Sequence, residues 1–111
     1  MTDTKPFQAT TREHLIHLLA EAAELEHNLM CTYLYAAFSL KRQSSEFSDE
    51  EAHAVARWRA NILRVAVEEM GHLASVWNIT SALGAIPQLG RGNFPLDPGM
   101  LPAGLVVKLV P

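Results

Sequence analysis

The chain is poor in several things, and each shortage excludes a class of protein. One cysteine, Cys31, in 111 residues rules out an internal disulfide and a thiolate metal cluster. Any metal must therefore be held by histidine and carboxylate. Cys31 itself is expected to be a small buried hydrophobe. No basic run occurs, and the formal charge is -3 with acids and bases interspersed, so neither nucleic acid nor an anionic membrane is an expected partner. No apolar stretch approaches the ~20 residues that span a bilayer, and MTDTKPFQATT lacks the apolar centre of a signal peptide. The cytosol is the expected compartment, which makes the Asn78-Ile79-Thr80 sequon a chance match. Internal repeats and low-complexity tracts are missing as well. Between Pro6 and Gly71 there is neither glycine nor proline, so nothing local interrupts a long helix.

What remains is 49% apolar and long enough for one domain, residues 1–111. Thr10 and Glu13 have the spacing of a capping box, which predicts a helix over about 11–41. Ser48 and Glu51 repeat that signal and predict a second helix over about 49–83, where Gly84 is a natural C-terminal cap and Pro87 forbids continuation. The short polar link RQSSEFS between them predicts an antiparallel hairpin. From Ala85 the chain changes character. The tail over 85–111 is rich in Pro and Gly and is expected to be irregular, with LVVKLV as a short extended piece.

Within the helices, the apolar residues recur at steps of three and four. Leu15, Leu19, Ala22, Glu26, Leu29, Tyr33, Ala36 and Leu40 form one seam. Val55, Trp58, Ile62, Val65, Glu69, His72, Val76, Ile79 and Leu83 form the other. Both seams turn polar only near their centres. A second apolar flank, Ala66, Met70, Leu73 and Trp77, makes the face of the second helix wider than one partner can cover, so further helices are expected against it. Burying carboxylates and an imidazole unpaired costs several kcal/mol each, which a shared cation would offset.

The spacing Glu-x-x-His occurs three times, at Glu24/His27, Glu50/His53 and Glu69/His72, and phase separates them. Glu24 and Glu50 fall off the seams and are expected in solvent. Glu69 and His72 share one inward face. With Glu26 on the facing helix they are the candidate metal ligands, a set of hard oxygens and imidazole suited to iron, manganese or zinc. Glu68 and His27 are at most outlying supports for them, and His14, His17 and His53 are expected at the surface. The competing reading is that a buried histidine and a mid-helix glutamate are satisfied by backbone or by arginine. Arg57, Arg59 and Arg64, however, lie off the seam and offer Glu69 no internal partner.

At these residues the chain resembles the ferritin-like di-iron proteins. Their pattern, a Glu followed by a Tyr seven residues on and then Glu-x-x-His on the next helix, is matched by Glu26, Tyr33, Glu69 and His72. AAELEHNLMCTYLYAAFSL, VAVEEMGHLASVWNITSALGAIPQL and the tail beyond them are similar to the ferritin-like domain of iminophenyl-pyruvate dimer synthases. The resemblance implies an all-α fold, the hairpin being half of a ferritin-like four-helix bundle. It also implies a non-haem di-iron or di-manganese centre with oxidase or oxygenase-type chemistry, Tyr33 being the candidate catalytic side chain as hydrogen-bond donor or one-electron reductant. Dioxygen or a small organic molecule would be the substrate. Iron storage by an oligomer, or a metal-free helical interaction module, are the alternatives. The full site of the family takes a second Glu and a second Glu-x-x-His, so either a second copy of the chain in a homo-oligomer or a longer chain must complete it. One geometric tension remains. Counted from the link, Glu26 and Glu69 differ in height by five residues, about 7 Å, so the link must extend past Ser48 or the second helix must overhang.

Overall fold

Two helices carry the described part of the chain, residues 8–41 and 47–94 of a computed structural model. The first, α1, spans Arg12–Ser39 and the second, α2, spans Asp49–Ala82. They pack as a hairpin, and no strand occurs among the described residues. LVVKLV and most of the link, residues 42–46, lie outside the described residues.

The helix ends show what fixes the hairpin. Ser48 opens α2 with the expected capping box, its Oγ accepting from the Glu51 N–H while a Glu51 carboxylate oxygen accepts from the Ser48 N–H. At α1 the cap is Thr11 and not Thr10. The Thr11 Oγ1 accepts from the His14 N–H at 3.0 Å, so Glu13 takes no part in a capping box. Either threonine offers the same oxygen, and the tertiary contact of the next residue decides between them. Arg12, the first residue of α1, donates to the Leu83 carbonyl at the far end of α2. The other end mirrors this, because Arg59 of α2 donates to the Leu40 and Lys41 carbonyls, 3.1 Å each, where α1 stops. Neither helix has a basic residue in its own last turn. Each thus has its negative end capped by an arginine of the other helix.

These contacts also resolve the height of the two seams. Ser39 ends α1 13 residues after Glu26, whereas Glu69 lies 20 residues after Asp49, so α2 overhangs α1 by seven residues at the link end. That is about 10 Å at the helical rise. At the opposite end Arg12 and Leu83 stand level.

The line of closest helix contact is not the pair of seams. The buried apolar residues are Ala23 and Ala37 on α1 and Ala66 and Leu73 on α2, with Thr80 completing the α2 series at seven-residue steps. Small side chains dominate this line, which lets the two backbones approach closely. The seams lie beside it and are only half covered: Trp58 is 56% exposed and Ile79 51%.

The other side of the hairpin is covered by its own tail. After α2, Gly84 takes φ 79°, its N–H donates to Ser81 O, and the Ala85 N–H donates to Thr80 O. This pair of bonds is a Schellman cap. The chain then doubles back along α1. The Trp77 indole N–H donates to Gln88 O at 2.8 Å, Gly92 passes the Glu24 carboxylate, and the Phe94 ring meets Tyr35 edge-on at 5.3 Å with Arg91 over its face. From Arg12 to Tyr35 is 23 residues of helix, about 35 Å, and the 11 residues from Leu83 to Phe94 can span that only when nearly fully extended. The tail passes the face of α1 that carries Glu24 and Tyr35; Asn28 shares that face, about 180° around the helix from Ala37, and is 1% exposed. Glu24 is half-buried instead of solvated, and Cys31 is half-buried rather than enclosed. His14 is likewise half-buried, while Glu50, His53 and His17 are exposed as expected.

Because Gly84 sits in the left-handed region, Gly84→Ala should lower stability by about 1 kcal/mol. The added Cβ would meet only the Arg12 guanidinium at 3.5 Å, so the cost is one of backbone conformation. A urea midpoint shift at unchanged slope measures it; no shift would contradict the cap.

Candidate metal centre

Glu26 projects from the middle of α1, and Glu69 and His72 project one turn apart from α2. The overhang of α2 brings them to one height. One ligand atom from each lies within 4.8 Å of the others. The His72 Nδ1 stands 3.4 Å from Glu69 Oε2 and 3.6 Å from Glu26 Oε2. An ion holds such ligands at about 2.0–2.2 Å and hence no more than about 4.4 Å apart, so a contraction of a few tenths of an ångström would close the cluster on a cation.

Burial is graded across the cluster. The side chains of Glu69 and Glu26 are 15% and 24% exposed, whereas His72 is 59% exposed. The cluster therefore lines the open groove of the hairpin, on the opposite side from the tail. Glu26 Oε2 is buried and accepts no hydrogen bond. An orphaned carboxylate oxygen facing a second carboxylate and an imidazole nitrogen is what a cation would satisfy, and the donor set fits a hard divalent metal.

The metal-free cluster is electrostatically frustrated. Burial, then the Glu69 carboxylate beside it, push the Glu26 carboxyl from 4.5 up to about 7, with His72 pulling the other way. The folded chain consequently binds a proton that the unfolded chain has released between these two values. The stability of the metal-free protein is predicted to be greater below pH 4.5, as far as this group is concerned, and to be lost as pH rises through about 7. Comparing urea unfolding at pH 5 and pH 8 for the parent and for Glu26→Gln isolates the effect: the variant should lack that share of the slope. Identical slopes would contradict it.

The other residues named from the sequence distribute as follows. Tyr33 is half-buried two turns from Glu26, about 10 Å along the axis, and makes no hydrogen bond to the three ligands. Glu68 is exposed and outside the cluster. His27, about 100° around α1 from Glu26, faces toward the tail side; its Nδ1 is buried without a hydrogen-bond partner. It does not support the cluster. Arg59, set aside because it is off the seam, proves to act on the helix terminus. Its long reach gave no periodic signal by which to find it. No helix among the described residues is long and apolar enough to cross a membrane.

No curated protein and no solved structure matches the chain. The model of the family described as Ferritin-like matches residues 19–111, a span that includes Glu26, Tyr33, Glu69 and His72. The chain belongs to the ferritin-like family.

Proposed function

We propose that this chain is a non-haem metal protein of the di-iron or di-manganese type, with oxidase or oxygenase character, and that Glu26, Glu69 and His72 are its ligands. The observation that carries the reading is the buried, unsatisfied Glu26 oxygen set against Glu69 and His72 at one height of the hairpin. Ferritin-like proteins commonly bind iron, and these residues are the ones that match the family pattern. Bound metal would supply redox equivalents and open coordination positions for dioxygen.

The residues of the chain do the rest. Glu26 and Glu69 would provide the negative charge that compensates a divalent ion, with Glu26, whose carboxyl is raised to about 7, giving up its proton to do so. His72 would contribute an imidazole nitrogen from the more exposed side. Tyr33 would serve from a distance as a hydrogen-bond donor or one-electron reductant. Three ligand groups are half of a di-metal set, so a homo-oligomer in which a second copy brings the same three is part of the reading. Among ferritin-like proteins, AAELEHNLMCTYLYAAFSL and VAVEEMGHLASVWNITSALGAIPQL favour the kind of domain found in iminophenyl-pyruvate dimer synthases, and a small organic substrate would follow from that likeness.

The test is anaerobic Fe(II) titration by calorimetry followed by oxygen uptake on exposure to air. Saturation at about one ion per chain with oxygen consumption supports the reading. Uptake of many irons per chain would favour storage, and no binding would favour a metal-free interaction module.

A further inference from the structure

His27 is the residue that the groove cluster leaves unexplained. Its Nδ1 is buried and has no hydrogen-bond partner among the described residues, although a buried polar atom is ordinarily satisfied. His27 stands about 100° around α1 from Glu26, on the side away from the groove. What it can reach is on its own helix. Cys31 lies four residues on and about 40° around, and Glu24 lies three residues back and about 60° around. Residues at these spacings have their Cβ atoms about 5–6 Å apart. Glu24, His27 and Cys31 therefore form one stripe of carboxylate, imidazole and thiol, and all three are half-buried. The tail runs over this side at Gly92, beside Glu24. Cys31 also opens on a cavity of about 240 Å³ with Leu34, Tyr35 and Phe38 among its walls, which leaves the thiol within reach of a small ion.

We propose that His27 and Cys31 chelate a second divalent cation, zinc or a similarly thiophilic metal, on the tail side of α1, with the Glu24 carboxylate closing the site from the preceding turn. One cysteine cannot build a thiolate cluster, but one thiolate completes an imidazole chelate. Zinc holds sulfur at about 2.3 Å and imidazole nitrogen at about 2.0–2.1 Å, so the two ligand atoms need to come within about 4.4 Å of each other. One turn of helix between them permits that. The three side chains are not gathered within 4.8 Å as the groove ligands are, so His27 and Cys31 are the primary pair and Glu24, the longer acidic arm, swings in. Binding replaces the thiol S–H bond by an S–metal bond and passes the proton to solvent. Thiolate and carboxylate then balance the two charges of the ion. Donor chemistry sorts the metals between the two sites: two carboxylates and an imidazole in the groove suit iron or manganese, whereas sulfur on the tail side favours softer ions.

Co(II) is the probe for the whole chain, because a cobalt–thiolate bond adds a charge-transfer band in the near ultraviolet that oxygen and nitrogen ligands do not give. The parent should develop that band, and Glu69→Ala should keep it, since Cys31 lies about 140° around α1 from Glu26. His27→Ala should weaken Co(II) binding, read on the band, at least tenfold with far-ultraviolet circular dichroism unchanged. Zn(II) should slow alkylation of Cys31 by iodoacetamide at least tenfold in the parent and leave the rate in His27→Ala as it was. A folded parent that shows no band, or a band at parental affinity in His27→Ala, would overturn the proposal. Loss of the band in Glu69→Ala would overturn it too, by placing Cys31 in the groove centre. Iron retention by Glu26, Glu69 and His72 is read separately, so neither site decides the fate of the other.

Discussion

Glu69→Ala protein is expected to lose affinity for Fe(II) on the order of 100-fold or more, while its far-ultraviolet circular dichroism stays that of the parent. Removing even a group that only supports a ligand typically costs 10–100-fold, and Glu69 is the least exposed member of the cluster. Helicity should survive because Glu69 lies mid-helix, far from either cap of α2, and alanine is the better helix former. The same should hold for His72→Ala. A further consequence distinguishes a ligand from a structural residue. Glu69 is one reason why the Glu26 carboxyl is pushed up to about 7, so its removal should relieve Glu26 and leave the metal-free variant no less stable than the parent at pH 8. Added Fe(II) should raise the melting temperature of the parent and leave that of the variant unchanged. Full metal occupancy in Glu69→Ala or His72→Ala would refute the assignment.

Leu73→Ala should act in the opposite sense, destabilising the fold by about 2–5 kcal/mol without altering a single ligand. Leu73 is 3% exposed and is the one large apolar side chain, among the described residues, in a contact line otherwise made of Ala23, Ala37, Ala66 and Thr80. The hairpin has little else to close the gap. Small domains have about 5–15 kcal/mol of stability in all, so this one truncation should remove a large share of it. Urea denaturation measures the loss, with Ile79→Ala as the comparison. Ile79 is 51% exposed in the single chain, so truncating it should cost no more than about 0.5 kcal/mol in the monomer. A small effect at Leu73 would mean that the alanine line is not where the helices meet.

The contrast between Leu73 and the seams shows where sequence reasoning reaches and where it stops. The capping box at Ser48 and the cap at Gly84 were legible, because single residues with one strong conformational preference mark them. Glu26, Glu69 and His72 were legible as a set through their phase, polar positions in otherwise apolar seams. The alanine line was not, since Ala23, Ala37 and Ala66 carry weak hydrophobic signals and the eye follows Leu, Val and Ile to the neighbouring stripe. That stripe lies beside the contact line, and the hairpin leaves it half exposed. Nor could the burial of Asn28 be foreseen. Asn28 lies on the face of α1 along which an extended tail runs, a tail that has no periodicity and that binds through isolated contacts at Trp77 and Tyr35. The overhang of α2 was foreseen only as a requirement; the contact that accompanies it, Arg59 reaching the end of α1, is made by a long side chain whose target is backbone.

Iron retention by the folded chain decides whether Glu26, Glu69 and His72 hold a metal. Protein loaded anaerobically with Fe(II), desalted and analysed by plasma mass spectrometry should retain about one ion per chain, half of a di-metal site for each copy. Retention of no iron by folded protein, with Glu26, Glu69 and His72 all intact, would contradict the assignment.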